Sequence, residues 1–126
     1  MARTDYSVKV KFVSKELTHK QKVQLQDTTD CIRLDTATQS GDVIIKPDFY
    51  AELEIHNEKG EDKDYLNYVV VDENGDRYLT GSNSFYNSFV DIMDEMSGSD
   101  EEFSIKCYRV PSKNRQGKDF ITCSII

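Results

Sequence analysis

From residue 48 onward the apolar residues recur at every second position, switch to helical spacing, and then switch back. That order limits the chain to a few folds. Phe49, Ala51, Leu53 and Ile55 alternate with Tyr50, Glu52 and Glu54, the period of a strand with one wet face. A charged loop from Asn57 to Asp64 separates it from a strand over Tyr65 to Val71. Asn74-Gly75 predicts a type I′ hairpin turn, because both central residues of that turn need positive φ. Arg77 to Thr80 then returns antiparallel. Phe85, Phe89, Ile92 and Met96 recur at helical spacing, with Asp91, Asp94 and Glu95 outward. Ser82, Asn83 or Ser84 can cap the first turn, and Ser97-Gly98-Ser99 ends the helix. Phe103, Ile105 and Cys107 alternate in another strand, and Ile121, Cys123 and Ile125 in the last.

Strand, strand, strand, helix, strand, strand is the order of the OB-fold, a five-stranded, partly open barrel with one helix between strands three and four. The chain is therefore expected to be mainly β (α+β), one domain over 1–126, with an OB-like core over 48–126. Residues 1–47 are expected to be an N-terminal β elaboration. There Tyr6 to Phe12 alternates, and Lys22 to Gln26 and Cys31 to Leu34 read as a hairpin around Asp27-Thr-Thr-Asp30, with a short helix within 15–24 as the alternative. Residues 37–42 read as a loop.

Composition sets the remaining bounds. With 37% hydrophobic and 31% charged residues the chain is globular. No apolar run approaches the roughly 18–20 residues of a membrane span, and Met1 to Asp5 shows no signal peptide. The three cysteines, Cys31, Cys107 and Cys123, lack metal-type spacing and read as buried thiols of a reducing cytoplasm. The net charge of −7 argues against nucleic acid as a partner, but its distribution does not. Residues 1–24 carry six Lys/Arg against Asp5 and Glu16, and residues 103–126 carry five against Asp119 alone, so each end is +4 and the middle −15. Such a bipolar chain can hold a polyanion on one face and repel it elsewhere, provided that folding does not interleave the charges.

In an OB-fold the ligand lies across strands two and three, between loops that here would be 57–64 and 111–117. The second is basic, with Lys113 and Arg115 inside it, Lys106 and Arg109 before it and Lys118 after it. Tyr108 has the opposite strand parity to Ile105 and Cys107, and Phe120 the opposite parity to Ile121 and Cys123. Both aromatics are thus expected on one outer face beside these cations. Tyr65, Tyr68 and Tyr78 sit on the two expected platform strands. Cations suit phosphates and flat rings suit unpaired bases. The plainer alternative is that Tyr108 and Phe120 are a cross-strand pair that stabilises the hairpin.

Residues 48–126 resemble small single-stranded-DNA-binding proteins of bacterial viruses. The resemblance rests on Thr80-Gly-Ser-Asn-Ser-Phe85, the helix to Met96, Phe103 to Lys106 and the basic Ser112 to Cys123 segment, a pattern with no invariant motif. It implies an OB-fold, no cofactor, and single-stranded DNA or RNA bound at Lys106, Tyr108, Lys113, Arg115, Lys118 and Phe120, as in viral DNA replication in a host cytoplasm. Several such proteins end in an acidic tail that recruits partners. This chain ends in Ser124-Ile125-Ile126, so recruitment by a tail is not expected.

Two rival functions remain. Asp91 to Glu102 carries Asp91, Asp94, Glu95, Asp100, Glu101 and Glu102 and no base. It can mimic a row of phosphates and inhibit a host nuclease or defence protein, or be an ordinary solvated face. An assembly module that pairs through its β edges, including as a homodimer, is the other. Catalysis finds little support: His19 lies among Lys15, Lys20 and Lys22, His56 ends a strand beside a charged loop, and no nucleophile, metalloprotease, phosphate-loop or dinucleotide motif occurs. Asp72-Glu-Asn-Gly-Asp76 is similar to a calcium loop, but its glycine is out of register and Asn83 stands where a bidentate Glu is needed.

Overall fold

The computed structural model describes residues 6–59, 64–112 and 118–126. Of these, 45% are strand and 23% helix, so the chain is mainly β. In chain order the elements are β1 (Tyr6–Val13), α1 (His19–Gln26), β2 (Ile32–Arg33), α2 (Leu34–Ala37), β3 (Val43–Ile45), β4 (Pro47–Asn57), β5 (Asp64–Asp72), β6 (Arg77–Thr80), α3 (Asn83–Met96), β7 (Ile105–Pro111) and β8 (Asp119–Ile125). They form a five-stranded sheet, β1-β4-β5-β6-β2, and a three-stranded sheet, β3-β7-β8.

The strands expected to close one barrel fall into two open sheets, and the N-terminal segment explains why. A barrel over 48–126 needs the outer edges of β4, β6 and β7 unoccupied. β1 pairs with β4 from Tyr6↔Asn57 to Val13↔Ala51. β2 pairs in parallel with β6 at Ile32↔Tyr78. β3 pairs with β7 from Val43↔Cys107 to Ile45↔Ile105. Each edge is thus taken by residues from 6–45, which complete the sheets instead of covering a barrel. Nor is the N-terminal part wholly β. Lys22 to Gln26 lies in α1, whose start is fixed by a capping box: Thr18 Oγ1 accepts from the Gln21 amide at 3.2 Å and Gln21 Oε1 from the Thr18 amide at 2.8 Å.

The β5–β6 turn also departs from the type I′ expectation. Val71 pairs with Arg77, so five residues lie between the paired positions. Only Gly75 has positive φ, at +90°. The buried Asp72 carboxylate organises the turn by accepting from the amides of Asn74 at 2.9 Å and Asp76 at 3.0 Å. That carboxylate is therefore a turn brace, a role that accounts for the calcium-loop likeness of the sequence.

The large sheet is covered on both faces at its centre. Phe49, Ala51, Leu53, Ile55, Val69, Val71 and Leu79 pack beneath Leu17 and Leu25. On the other face Tyr50, Tyr68, Val70 and Tyr78 meet Phe85, Tyr86 and Phe89 of α3 and the inner residues of the small sheet, Ile45, Ile105, Cys107, Ile121 and Cys123. The continuous Val69-Val70-Val71 run is what two buried faces require. The even face of β4, expected to be wet, is dry at Tyr50 because α3 lies across it.

Of the three possible caps, Ser82 starts α3, its Oγ accepting from the Phe85 amide at 3.2 Å. The same end fastens the helix to the edge of β8, where Ser84 Oγ donates to the Ile121 carbonyl at 3.0 Å. Cys107 and Cys123 stand opposite each other in the last hairpin. Burial pushes both thiols up to about 12, so they are inert packing groups. Among the described residues no helix is long and apolar enough to cross a membrane.

Candidate functional site

The small sheet buries one face and leaves the other open. Strand parity decides which residues go where. Ile105, Cys107, Ile121 and Cys123 point inward. Ile44, Lys106, Tyr108, Val110, Phe120, Thr122 and Ser124 share the opposite parity and the outer face, in the register Ile44↔Lys106↔Ser124, Tyr108↔Thr122 and Val110↔Phe120. Tyr108 and Phe120 are thus diagonal neighbours on one face and do not oppose each other directly. Phe120 is 39% exposed and Ile44 51%. Lys106 Nζ lies 5.2 Å from the Tyr108 ring centroid, and the Tyr108 hydroxyl hydrogen-bonds Ser124 Oγ at 2.8 Å. The ring is held between a cation and a hydroxyl on a rigid two-strand base. Such a surface offers flat π-faces and positive charge at fixed spacing.

The structure sorts the residues that the sequence singled out. Lys106, Tyr108 and Phe120 come together on this face, and Lys118 is exposed at the mouth of the hairpin, where its carbonyl accepts from the Ser112 amide at 3.0 Å. Lys113 and Arg115 lie outside the described residues. Arg109 has inward parity and is engaged: Nη1 pairs with Asp119 Oδ1 at 2.8 Å, Nε donates to Thr38 Oγ1 at 3.1 Å, and Nη2 donates to the Asp35 carbonyl. It ties α2 to the hairpin and is not poised for a phosphate. Tyr68 and Tyr78 are buried, at 5% and 9% exposure. Tyr68 stacks on Tyr86 with centroids 3.8 Å apart and donates to Asn83 Oδ1 at 2.6 Å. The β5–β6 platform is therefore closed off at Tyr68 and Tyr78, whereas Tyr65, near the start of β5, stays 38% exposed beside Lys9 and Lys11, apart from the aromatic surface of β7 and β8. Sequence reasoning missed Ile44, whose strand is only three residues long.

His56 is less idle than a solvated strand end. Its Nδ1 lies 2.7 Å from Asp64 Oδ1 and its Nε2 2.7 Å from Glu58 Oε1, beside an open pocket of about 580 Å³ that Lys9, Lys11 and Glu54 also line. The hydrogen bonds that its ring donates to Asp64, then Glu58, raise the His56 pKa above its ordinary 6.5. Carboxylates flank both ring nitrogens, so the protonated ring is a clasp between β4 and β5. Because the folded value is raised, this contribution to stability is complete below the unfolded pKa and is lost as pH rises through the folded one. In an NMR pH titration His56 is expected to titrate above 6.5, and Asp64→Asn is expected to bring it down. An unshifted His56 would remove the clasp.

The acidic stretch is partly paired. Glu102 and Glu73 share Lys46, with Nζ to carboxylate distances of 3.8 and 3.6 Å. Asp91, Asp94 and Glu95 are exposed on α3. Among the described residues no group of His, Cys, Asp or Glu is placed to hold a metal ion.

Compared with known proteins, the chain matches no family model, no curated protein and no solved structure. Function has to be drawn from the geometry.

Proposed function

We propose that this protein is a non-catalytic binding module that takes single-stranded nucleic acid across the outer face of its β3-β7-β8 sheet. The observation that carries the proposal is half-buried Tyr108 and exposed Phe120 on one outer face with Lys106 beside them, on a sheet whose inner face is locked in the core. Unpaired bases stack on Tyr108 and Phe120, each stack contributing about 1–3 kcal/mol. Lys106 and Lys118 meet phosphates, and the connecting sequence adds Lys113 and Arg115. A duplex hides its base faces, so a single strand fits this surface better. Stacking on an open sheet does not require the closed barrel of an OB-fold. The −15 of residues 25–102 repels the polyanion from the rest of the surface. The likeness of 48–126 to the small DNA-binding proteins of bacterial viruses supports the same function, and with it the cytoplasm of an infected cell as the setting.

Fluorescence anisotropy with a labelled oligonucleotide, single- and double-stranded, over a salt series tests this. The single strand is expected to bind more tightly, with a steep loss in salt from counterion release. Each neutralised phosphate adds about −0.7 to the log–log salt slope for a single strand, so Lys106→Gln/Lys118→Gln is expected to flatten the slope by about 1.4. An unchanged slope would remove these two lysines from the interface, and no binding at low salt would end the proposal.

A further inference from the structure

A cleft of about 420 Å³ opens between α3 and the Phe12 end of β1. Phe12 is 44% exposed, its ring centroid 5.8 Å from that of Tyr50, and Tyr50 is 6.1 Å from Tyr86. Glu52, Asp91 and Asp94 line the same cleft, and no lining residue is cationic. The Tyr86 hydroxyl donates to Glu52 Oε2 at 2.7 Å and fixes that carboxylate in the wall. Asp91 and Asp94 have no ion-pair partner among the described residues.

Tyr50 is the sharper clue. Its side chain is buried, at 7% exposure, yet its hydroxyl has no hydrogen-bond partner among the described residues. No buried side-chain oxygen or nitrogen of the described residues is left unsatisfied, so this oxygen is reached by solvent, and Tyr50 lines the cleft. A buried phenol is thus turned toward an opening walled by rings and carboxylates.

We propose that this cleft receives an arginine side chain from a basic segment of a protein partner. A guanidinium is planar, weakly hydrated and carries five N–H donors. Its face lies on Phe12, and its edges donate to Glu52, Asp91, Asp94 and the Tyr50 oxygen. A lysine ammonium has no plane to lay on the ring and is more strongly hydrated, so it fits less well. Charge complementarity names the partner's chemistry: every charged residue that lines the cleft is acidic, and the exposed Asp91 and Asp94 can turn toward an incoming cation. The site shares no residue with the outer face of the small sheet, so it stands or falls separately from nucleic-acid binding.

The test is an amide NMR titration of the full chain with a blocked Gly-Arg-Gly peptide, its uncharged citrulline counterpart and its lysine counterpart. The arginine peptide is expected to shift the amides of Phe12, Tyr50, Asp91 and Asp94, the citrulline peptide to shift none, and the lysine peptide to bind several-fold more weakly. Asp91→Asn/Asp94→Asn, at exposed positions that leave the fold intact, is expected to weaken binding at least fivefold, and Tyr50→Phe about twofold. Shifts spread over Asp100 to Glu102 instead, or equal binding of the citrulline peptide, would overturn the site. Equal binding of the lysine peptide would overturn the guanidinium assignment.

Discussion

Phe89→Ala is expected to lower folding stability by about 3–5 kcal/mol, the usual cost of removing a fully buried phenylalanine. Phe89 is 0% exposed, packed 5.7 Å from Phe85 and edge-on to Tyr50 at 5.2 Å between ring centroids. It sits where α3 joins the large sheet to the small one, so no single element can relax into the gap. Domains of this size have about 5–15 kcal/mol in total, and the loss would lower the Tm by roughly 10–20 °C. Urea and thermal unfolding followed by circular dichroism would measure it. Val23→Ala, at a position 64% exposed on α1, is the control and is expected to stay within about 0.5 kcal/mol. A loss below about 1 kcal/mol for Phe89→Ala would mean that α3 does not bridge the two sheets.

Tyr108→Ala/Phe120→Ala is expected to weaken single-strand binding by about 2–6 kcal/mol, the sum of two base stacks, which is at least 30-fold in Kd. Neither ring belongs to the buried core, so the double variant is expected to remain folded. Measuring affinity and Tm on the same variant separates two roles for the rings. Lost affinity with a nearly intact Tm identifies a binding surface. A lowered Tm with intact affinity identifies a cross-strand pair that merely stabilises the hairpin.

Much of the local structure was legible in the sequence. The period-two runs locate β1, β4, β7 and β8, the apolar run ending at Val71 locates β5, the switch of period locates α3, and parity alone puts Tyr108 and Phe120 on one face and Cys107 and Cys123 on the other. Parity also points Arg109 inward, with Ile105 and Cys107. What could not be read was its partners, Asp35 and Thr38, more than seventy residues away. The edge pairings failed for the same reason. β3 is three residues long, too short for periodicity to register, yet it occupies the edge of β7 and helps to keep the barrel open. Tyr68 and Tyr78 look available on isolated strands, and only the placement of α3 and the small sheet buries them. α1 carries almost no apolar face, so its period hides it, and the capping pair Thr18 and Gln21 that starts it went unread. The Asn74-Gly75 turn was located correctly but given the wrong geometry, because the Asp72 carboxylate braces a longer loop.

The central claim is that the outer face of the β3-β7-β8 sheet holds a single strand. An amide NMR titration with a short oligothymidine at low salt tests it most directly. Shifts concentrated at Ile44, Lys106 to Val110 and Lys118 to Ser124, fading as salt is raised, are the predicted result. No shifts, or shifts that leave these residues untouched, would contradict it.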